Sequence, residues 1–450
     1  MATTSILFQM KKIKFSIEAK RAINLIQNTT KSVFVTGKAG TGKSTLLEYI
    51  RCKTDSKMVV LAPTGVAAIN VHGETIHSFF GLKPGFELNE AKEKRIHKDR
   101  AKKYSSLKTV MIDEISMVRA DLLDAIDVFL RKARRNNDPF GGVQMVFFGD
   151  LYQLPPVVTP ADREQFYSHY KAPYFFKADV FSGAIDLFAS TFDLEIIELI
   201  HVYRQKDEQF IKLLNAVRNN ALTSEDLETL NTRYNQDYIP LDSDDYIHLM
   251  TTNRDAAAIN NAKLFKLTSP EVGFTSTSSG TIARNLFPND KQVTLKVGAQ
   301  IMFIYNDPER KWVNGTIGKV VEITDEFNDE ESEMQPMLIV EKSNGELVKV
   351  RRYTWEISKY VFENGEFKRV QIGSFTQVPL KLAWAITIHK SQGKTFEKVI
   401  LDLGYGSFAH GQSYVALSRC TSLEGLVLRR PFRQSDIIMD TRIQEFEILK

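Results

Sequence analysis

Cysteine is almost absent from this chain. Only Cys52 and Cys420 occur in 450 residues, too few and too far apart for a disulfide framework or a cysteine-ligated zinc site. No apolar run approaches the ~20 residues of a membrane-spanning helix. The apolar patch Ile6-Leu7-Phe8 near the start is too short for a secretory signal. An excess of one charge is lacking too: 59 Lys+Arg against 55 Asp+Glu leave a net +4. Any case for a nucleic-acid partner therefore rests on where the basic residues sit. Low-complexity tracts and short-period repeats are missing as well. These absences point to a reducing, cytoplasmic compartment without a membrane partner. A hydrophobic content of 43% and a charged content of 25% suit a globular protein. At 450 residues the chain exceeds one compact core, so two to four domains are expected.

What is present is concentrated in a few motifs. Residues 37–45 read Gly-Lys-Ala-Gly-Thr-Gly-Lys-Ser-Thr, after the apolar run Val33-Phe34-Val35 and before Leu46-Leu47. This is a strand, a glycine-rich turn and a helix start carrying G-x-x-x-x-G-K-[ST]. Gly37, Gly40 and Gly42, with Ala39 and Thr41 between them, let backbone N–H groups converge on an anion at a helix N-terminus. Lys43 is placed to reach β and γ phosphates, Ser44 to hold Mg²⁺, and Thr45 continues the turn. The pattern predicts binding of a nucleoside triphosphate.

Thr109-Val110-Met111-Ile112-Asp113-Glu114 is an apolar strand ending in two carboxylates. Strand C-termini face the nucleotide crevice in parallel sheets. Asp113 is thus expected at the Mg²⁺ shell and Glu114 at the attacking water. Phe147–Pro156 is another buried strand breaking at Gly149, and it carries Gln153 onto the same edge. Arg204 and Arg419 stand where fixed, always-charged donors suit a transferring phosphoryl group.

Strands Ser32–Thr36, Met58–Ala62, Thr109–Ile112 and Gln144–Phe148 alternate with helical stretches, as in a parallel sheet wrapped by helices. The pattern dissolves over 81–105, where Lys92–Lys103 holds seven basic and two acidic residues in twelve positions. A second α/β pattern opens near Thr191 with an alternating strand over Phe192–Leu199. From about 271 to 375 short strands and turns such as Asn314-Gly315 and Asn364-Gly365 predict a small antiparallel barrel. Helix and strand alternation resumes from Trp384. The acidic stretch Asp325–Glu333 reads as a hairpin tip.

Together the P-loop, Ala62–Ala68, Asp113-Glu114, Gly149–Pro156, Arg204-Gln205, Trp384–Thr395 and Tyr414–Arg419 resemble, in order, the motifs of superfamily 1 helicases. The segment Leu122–Gln144 and the run Ala383–Gly393 are similar to the PIF-type (petite integration frequency) DNA helicases, in the branch related to RecD. The resemblance covers about Ile23 to Leu428. It implies an α/β protein with two RecA-like P-loop lobes, a small basic insertion in the first and a small SH3-like β-barrel inserted in the second. The boundaries expected are 1–80 and 106–190, with 81–105 inserted. The second lobe would span 191–270 and 376–435, with 271–375 inserted and 436–450 as a tail.

The function implied is an ATP-dependent DNA helicase moving 5′ to 3′ on single-stranded DNA, with ATP and Mg²⁺ as cofactors. Lys43, Asp113, Glu114, Gln153, Arg204 and Arg419 would hold the catalytic roles, the two arginines coming from the second lobe. DNA contacts are expected at Pro63, Thr64, His77 and Phe80 in the first lobe. In the second they are expected at Thr251, Asn253, His389 and Lys390. Partners would be single-stranded DNA and tailed or forked duplex, met by a chain monomeric in solution and nucleoid-associated. Beside the family's larger members the chain reads as a bare motor core.

Lys92–Lys103 is either a duplex-splitting wedge or a solvated helix face. Arg131, Lys132, Arg134 and Arg135 either brace it or touch DNA. Where the family often carries an adenine-reading glutamine, this chain has Ser16–Arg21, without one. Two further readings stay open on the residues: an ATPase that binds single strands without unwinding, and a P-loop enzyme acting on a small molecule.

Overall fold

The computed structural model describes residues 14–53, 57–82, 96–182, 192–241, 244–309, 311–328 and 333–447. Two compact units emerge. The first comprises Met1–Tyr203, Ser358–Ile372 and Asp440–Lys450, the second Arg204–Ile357 and Gly373–Met439.

The first unit is built on six strands: β1 (Ser32–Gly37), β2 (Met58–Ala62), β3 (Glu74–Thr75), β4 (Thr109–Ile112), β5 (Gln144–Phe148) and β6 (Leu194–Leu199). They order as β3-β2-β4-β5-β1-β6, every pair parallel. β1, β2, β4 and β5 are buried at every residue, as expected where both faces of a parallel sheet are covered. Helices α1 (Ile17–Asn28) and α2 (Lys43–Lys53) cover one face. Their Ala22, Ile26, Leu46, Leu47 and Ile50 join Val33, Val35, Met111, Val146 and Ile197 in one apolar cluster. Ser16 starts α1 by accepting a hydrogen bond from the Ala19 amide.

Helices α3 (Gly65–Asn70) and α4 (Ile76–Phe80) follow β2 and β3. Helix α5 (Lys98–Ser105) occupies the basic stretch, whose residues 83–95 lie outside the described ones. Helix α6 (Ala120–Arg134) leads the Leu122–Gln144 segment and ends at Arg135, which takes a left-handed conformation.

β6 corrects the expected boundary. It was assigned to the second lobe, yet it pairs with β1 from Ser32↔Leu194 to Gly37↔Leu199. The alternation over 192–199 specifies a strand but not which sheet edge it fills; β1 needs a partner on each side. The boundary therefore lies at Tyr203/Arg204 rather than 191. From Asp440 onward the expected tail also belongs to the first unit: the Tyr174 hydroxyl donates to Asp440 Oδ2 at 2.9 Å, and the Phe446 ring lies 4.7 Å from Phe176.

In the second unit β7 (Ile247–Met250) is the first of four parallel strands. After it come the antiparallel strands β8 (Val272–Thr275), β9 (Thr277–Gly280), β10 (Gln292–Leu295), β11 (Gln300–Phe303), β12 (Ile317–Asn328), β13 (Glu333–Lys342), β14 (Leu347–Val350), β15 (Tyr353–Glu363), β16 (Glu366–Gln377) and β17 (Leu380–Leu382). They form three sheets, ordered β10-β8, β14-β13-β12-β11-β17 and β15-β16-β9, consistent with the expected antiparallel insertion. The one strand expected over 293–304 is two, split where Gly298 takes a left-handed turn. Residues 358–372 of the β15–β16 hairpin belong to the first unit. The acidic stretch closes the β12–β13 hairpin as expected, pairing through Asn328↔Glu333, with 329–332 outside the described residues. The core under these strands gathers Phe274, Leu295, Ile301, Phe303, Trp312, Val320, Leu338, Val340 and Leu380.

The parallel sheet then resumes with β18 (Ala385–Thr387), β19 (Val399–Asp402) and β20 (Leu426–Leu428), ordered β18-β7-β19-β20. Among the described residues no helix is long and apolar enough to cross a membrane.

Candidate functional site

The turn after β1 is shaped by close approaches that only glycine tolerates. Gly37 has φ +150, and a Cβ there would lie 2.6 Å from Leu199 O and 2.8 Å from Thr41 Oγ1. Gly40 and Gly42 have φ +82 and +85. Thr41 Oγ1 donates to Lys38 O at 2.9 Å, folding the loop on itself. Lys43 opens α2 and donates through Nζ to Gly37 O at 2.7 Å and Lys38 O at 3.0 Å. Its ammonium thus lies over the loop whose backbone it would help to line. Ser44 and Thr45 are exposed in the first turn of α2, which carries no acidic residue. Ala39 is buried beneath the turn.

Asp113 follows β4, two strands from β1, and its amide continues the ladder by donating to Leu61 O at 2.9 Å. Burial raises its carboxyl pKa, the Glu114 charge adds to that, and Lys43 acts against it. The cation of the P-loop is therefore close enough to be felt at the end of β4. Glu114 takes a left-handed conformation, φ 49 and ψ 45, a strained geometry for a non-glycine residue. Behind it, a Cβ on Gly149 would sit 2.8 Å from Ile115 Cγ2 and 3.2 Å from the Ile115 amide. The Gly149–Asp150 turn is thereby pressed against the residues after Asp113-Glu114. Gln153 is 7% exposed, and its Nε2 donates to Asp150 Oδ2 at 3.2 Å. These residues make a phosphate cradle with a neighbouring carboxylate pair. The Ser44 hydroxyl and the Asp113 carboxylate are oxygen donors of the kind Mg²⁺ takes alongside phosphate oxygens.

Sequence reasoning missed Tyr203. Its amide donates to Gly40 O at 2.8 Å, and its ring is 3.8 Å from where a Gly42 Cβ would be. The assignment of β6 to the wrong lobe hid this contact.

In the second unit Arg204 Nη1 donates to Ser418 O at 3.2 Å, and Gln205 Nε2 donates to Ser418 O and Cys420 O at 3.1 and 3.0 Å. Arg419 is 1% exposed. Its guanidinium donates to Val415 O at 2.9 Å, Ser418 Oγ at 2.8 Å, Lys394 O at 3.2 Å and Ser391 O at 3.4 Å. Arg419 thus ties the short helix α7 (Gln412–Leu417) to the loop after β18.

The expected DNA contacts divide. Thr64 is exposed and caps α3, its hydroxyl oxygen accepting from Ala67 N at 3.2 Å; Pro63 beside it is half-buried. His77 is half-buried on α4, and burial lowers its imidazole pKa. Phe80 is a correction: it is 0% exposed, with ring centroids 5.3 Å from Tyr104 and 6.3 Å from Phe129. A ring packed inside the first unit offers no face to a base. Thr251 and Asn253 flank Thr252, which caps the helix Asn253–Lys266 by accepting from the Asp255 amide. His389 and Lys390 start a 3₁₀ turn after β18, Lys390 exposed and His389 half-buried.

The segment Leu122–Gln144 braces its surroundings. Arg134 donates to Gly141 O at 2.6 Å, Ser105 O at 2.7 Å and Leu107 O at 2.9 Å, and Arg131 Nε donates to Asp127 Oδ1 at 2.8 Å. Gln144 Nε2 donates to Lys31 O at 2.9 Å and Thr29 O at 3.0 Å, while its Oε1 accepts from Thr109 Oγ1 at 2.8 Å.

A glycine loop closing on its lysine, with a carboxylate pair two strands away on the same edge of a parallel sheet, defines a P-loop nucleoside triphosphatase. A family model described as PIF1-like helicase matches residues 14–228. The ATP-dependent DNA helicase Pif1 of Bdellovibrio bacteriovorus is 33% identical over 98% of this chain and 93% of its own length. The ATP-dependent DNA helicase PIF1 of Emericella nidulans is 31% identical over 96% of this chain, which spans 62% of that protein. Among solved structures, Bacteroides Pif1 in complex with ADP-AlF4 is 37% identical with a TM-score of 0.86, covering 97% of each chain. The same protein in complex with ADP-AlF3 and single-stranded DNA gives a TM-score of 0.67 at the same identity and coverage. The chain belongs to the PIF1-like helicase family.

Proposed function

We propose that this protein is an ATP-dependent DNA helicase that moves 5′ to 3′ along single-stranded DNA and separates duplex ahead of it. The observation that carries the reading is the P-loop and the Asp113-Glu114 pair sharing the C-terminal edge of one parallel sheet. The P-loop amides and Lys43 bind the β and γ phosphates, and Gln153 orients the γ-phosphate end. Glu114 accepts a proton from the attacking water as the terminal phosphoryl leaves ADP. Ser44 and Asp113 would hold Mg²⁺, which when bound neutralises charge on the phosphate oxygens. Arg204 and Arg419 are the residues this reading assigns to charge stabilisation during transfer, a role suited to fixed, always-charged donors.

Pro63, Thr64 and His77 in the first unit, and Thr251, Asn253, His389 and Lys390 in the second, are the DNA contacts of this reading. Main-chain, hydroxyl and ammonium groups of this kind grip phosphates without reading sequence. The basic stretch Lys92–Lys103 is the candidate duplex-splitting element of this reading. The relatives' names and the Bacteroides complex with nucleotide and single-stranded DNA support the assignment.

The test is steady-state ATP hydrolysis with and without single-stranded DNA. Turnover is expected to rise with DNA and to vanish with or without it in Lys43→Ala. Turnover indifferent to DNA, or wild-type turnover in that variant, overturns the reading.

A further inference from the structure

The loop Gly404–His410 follows β19 and leads into α7. It is firmly held. Gly404 N donates to Asp402 Oδ1 at 2.8 Å, Gly406 N to Leu403 O at 2.9 Å and Phe408 N to Gln412 Oε1 at 2.9 Å. Ser407 and Ser413 share a hydroxyl hydrogen bond at 2.7 Å, and Arg430 Nε donates to Gly404 O at 2.8 Å. Gly404 takes φ +53, a left-handed turn that starts the loop.

From this rigid frame two aromatic rings project into solvent: Tyr405 is 112% exposed and Phe408 63%. Such rings forgo the burial that apolar surface favours, and a braced loop does not expose them by floppiness. The Phe408 ring is nearly parallel to that of His389, at 17°, with centroids 6.4 Å apart. That separation is close to two of the ~3.4 Å steps between stacked bases. His389 stands at the C-terminal end of β18, the Tyr405–Phe408 loop at that of β19, and Thr251–Asn253 at that of β7 between them. One sheet edge thus collects aromatic faces, a capped helix start and the exposed ammonium of Lys390. Burial lowers the His389 pKa, favouring the uncharged ring.

We propose that Phe408, with His389 facing it and Tyr405 beside it, is a stacking site for an unpaired nucleobase of the strand whose phosphates the same edge grips. A flat face accepts any base but only one freed from its pair, which makes the site selective for single strands without reading sequence. The frame that holds the loop is preorganised, so little ordering is needed when a base arrives. The site rests on the DNA-binding reading above and adds the base to its phosphate contacts.

The test compares binding of fluorescein-labelled oligo-dT with binding of an abasic phosphodiester strand of equal length, read by anisotropy. Wild type is expected to bind oligo-dT more tightly than the abasic strand. Phe408→Ala should weaken oligo-dT binding roughly tenfold or more while leaving the abasic strand unchanged, and Phe408→Trp should restore it. Tyr405→Ala, on a fully exposed side chain, should weaken oligo-dT alone and serves should Phe408→Ala fail to fold. Equal loss on both strands means a structural effect and overturns the site. No loss on either strand also overturns it and leaves the rings as a docking face for another protein. If wild type binds neither strand, the DNA-binding reading itself has failed.

Discussion

Phe80 illustrates how a side chain changes meaning once its neighbours are known. In sequence it follows Thr75–Phe79 on a segment that leads to the DNA side, and an aromatic there invites a base. In the fold its ring packs against Phe79 at 5.0 Å, Tyr104 at 5.3 Å and Phe129 at 6.3 Å. Phe80→Ala is expected to cost about 3–5 kcal/mol of stability through the cavity it leaves. Phe80→Leu keeps most of the volume and should leave single-strand affinity near wild type. Thermal melting and anisotropy on both variants check this; a tenfold affinity loss in Phe80→Leu with unchanged melting contradicts the buried role. The places of Lys43, Asp113 and Glu114 in the fold were legible because a glycine spacing or a strand terminus encodes them locally. Phe80 and Tyr203 were not, since the partners that define them lie on α5 and α6 and in the P-loop.

At the scale of elements, strands were readable and their neighbours were not. β6 shows the same alternation whether it closes one sheet or opens another; only its register against β1 decides. The Leu122–Gln144 segment likewise shows a basic helix end, while Arg134 turns out to donate to the carbonyls of Ser105, Leu107 and Gly141. The central strand β7 carries a consequence for pH. His248 is buried there, and burial, followed by Arg429 and Lys263, pushes its pKa down to about 4. The unfolded chain takes up that proton near pH 6.5, so the native state loses stability as pH falls from 6.5 towards 4, by about 3 kcal/mol at the limit. Urea midpoints at pH 7 and pH 5 should therefore differ more in wild type than in His248→Gln. An equal pH response in the two proteins contradicts the buried, neutral imidazole.

Across the whole molecule, the parallel sheets and the antiparallel insertion were legible from periodicity and turn residues, whereas the division of the chain was not. It passes between units at Tyr203/Arg204, Ile357/Ser358, Ile372/Gly373 and Met439/Asp440, and only the third and last of these lie within a few residues of an expected boundary. Each parallel sheet carries its chemistry on its C-terminal edge, as open α/β sheets do. The first bears the P-loop and Asp113-Glu114; the second bears Thr251–Asn253, His389-Lys390 and the Tyr405–Phe408 loop. A nucleotide site alone would serve many reactions; in the proposed function the edge of the second sheet holds the strand along which hydrolysis drives movement. Under the proposed function, ATP hydrolysis at the P-loop drives directional travel on a single strand. Strand displacement on duplexes bearing a 5′ tail, a 3′ tail or no tail tests it most directly. The account predicts ATP-dependent displacement of the 5′-tailed duplex only, absent in Lys43→Ala; displacement of the 3′-tailed duplex alone, or of none, contradicts it.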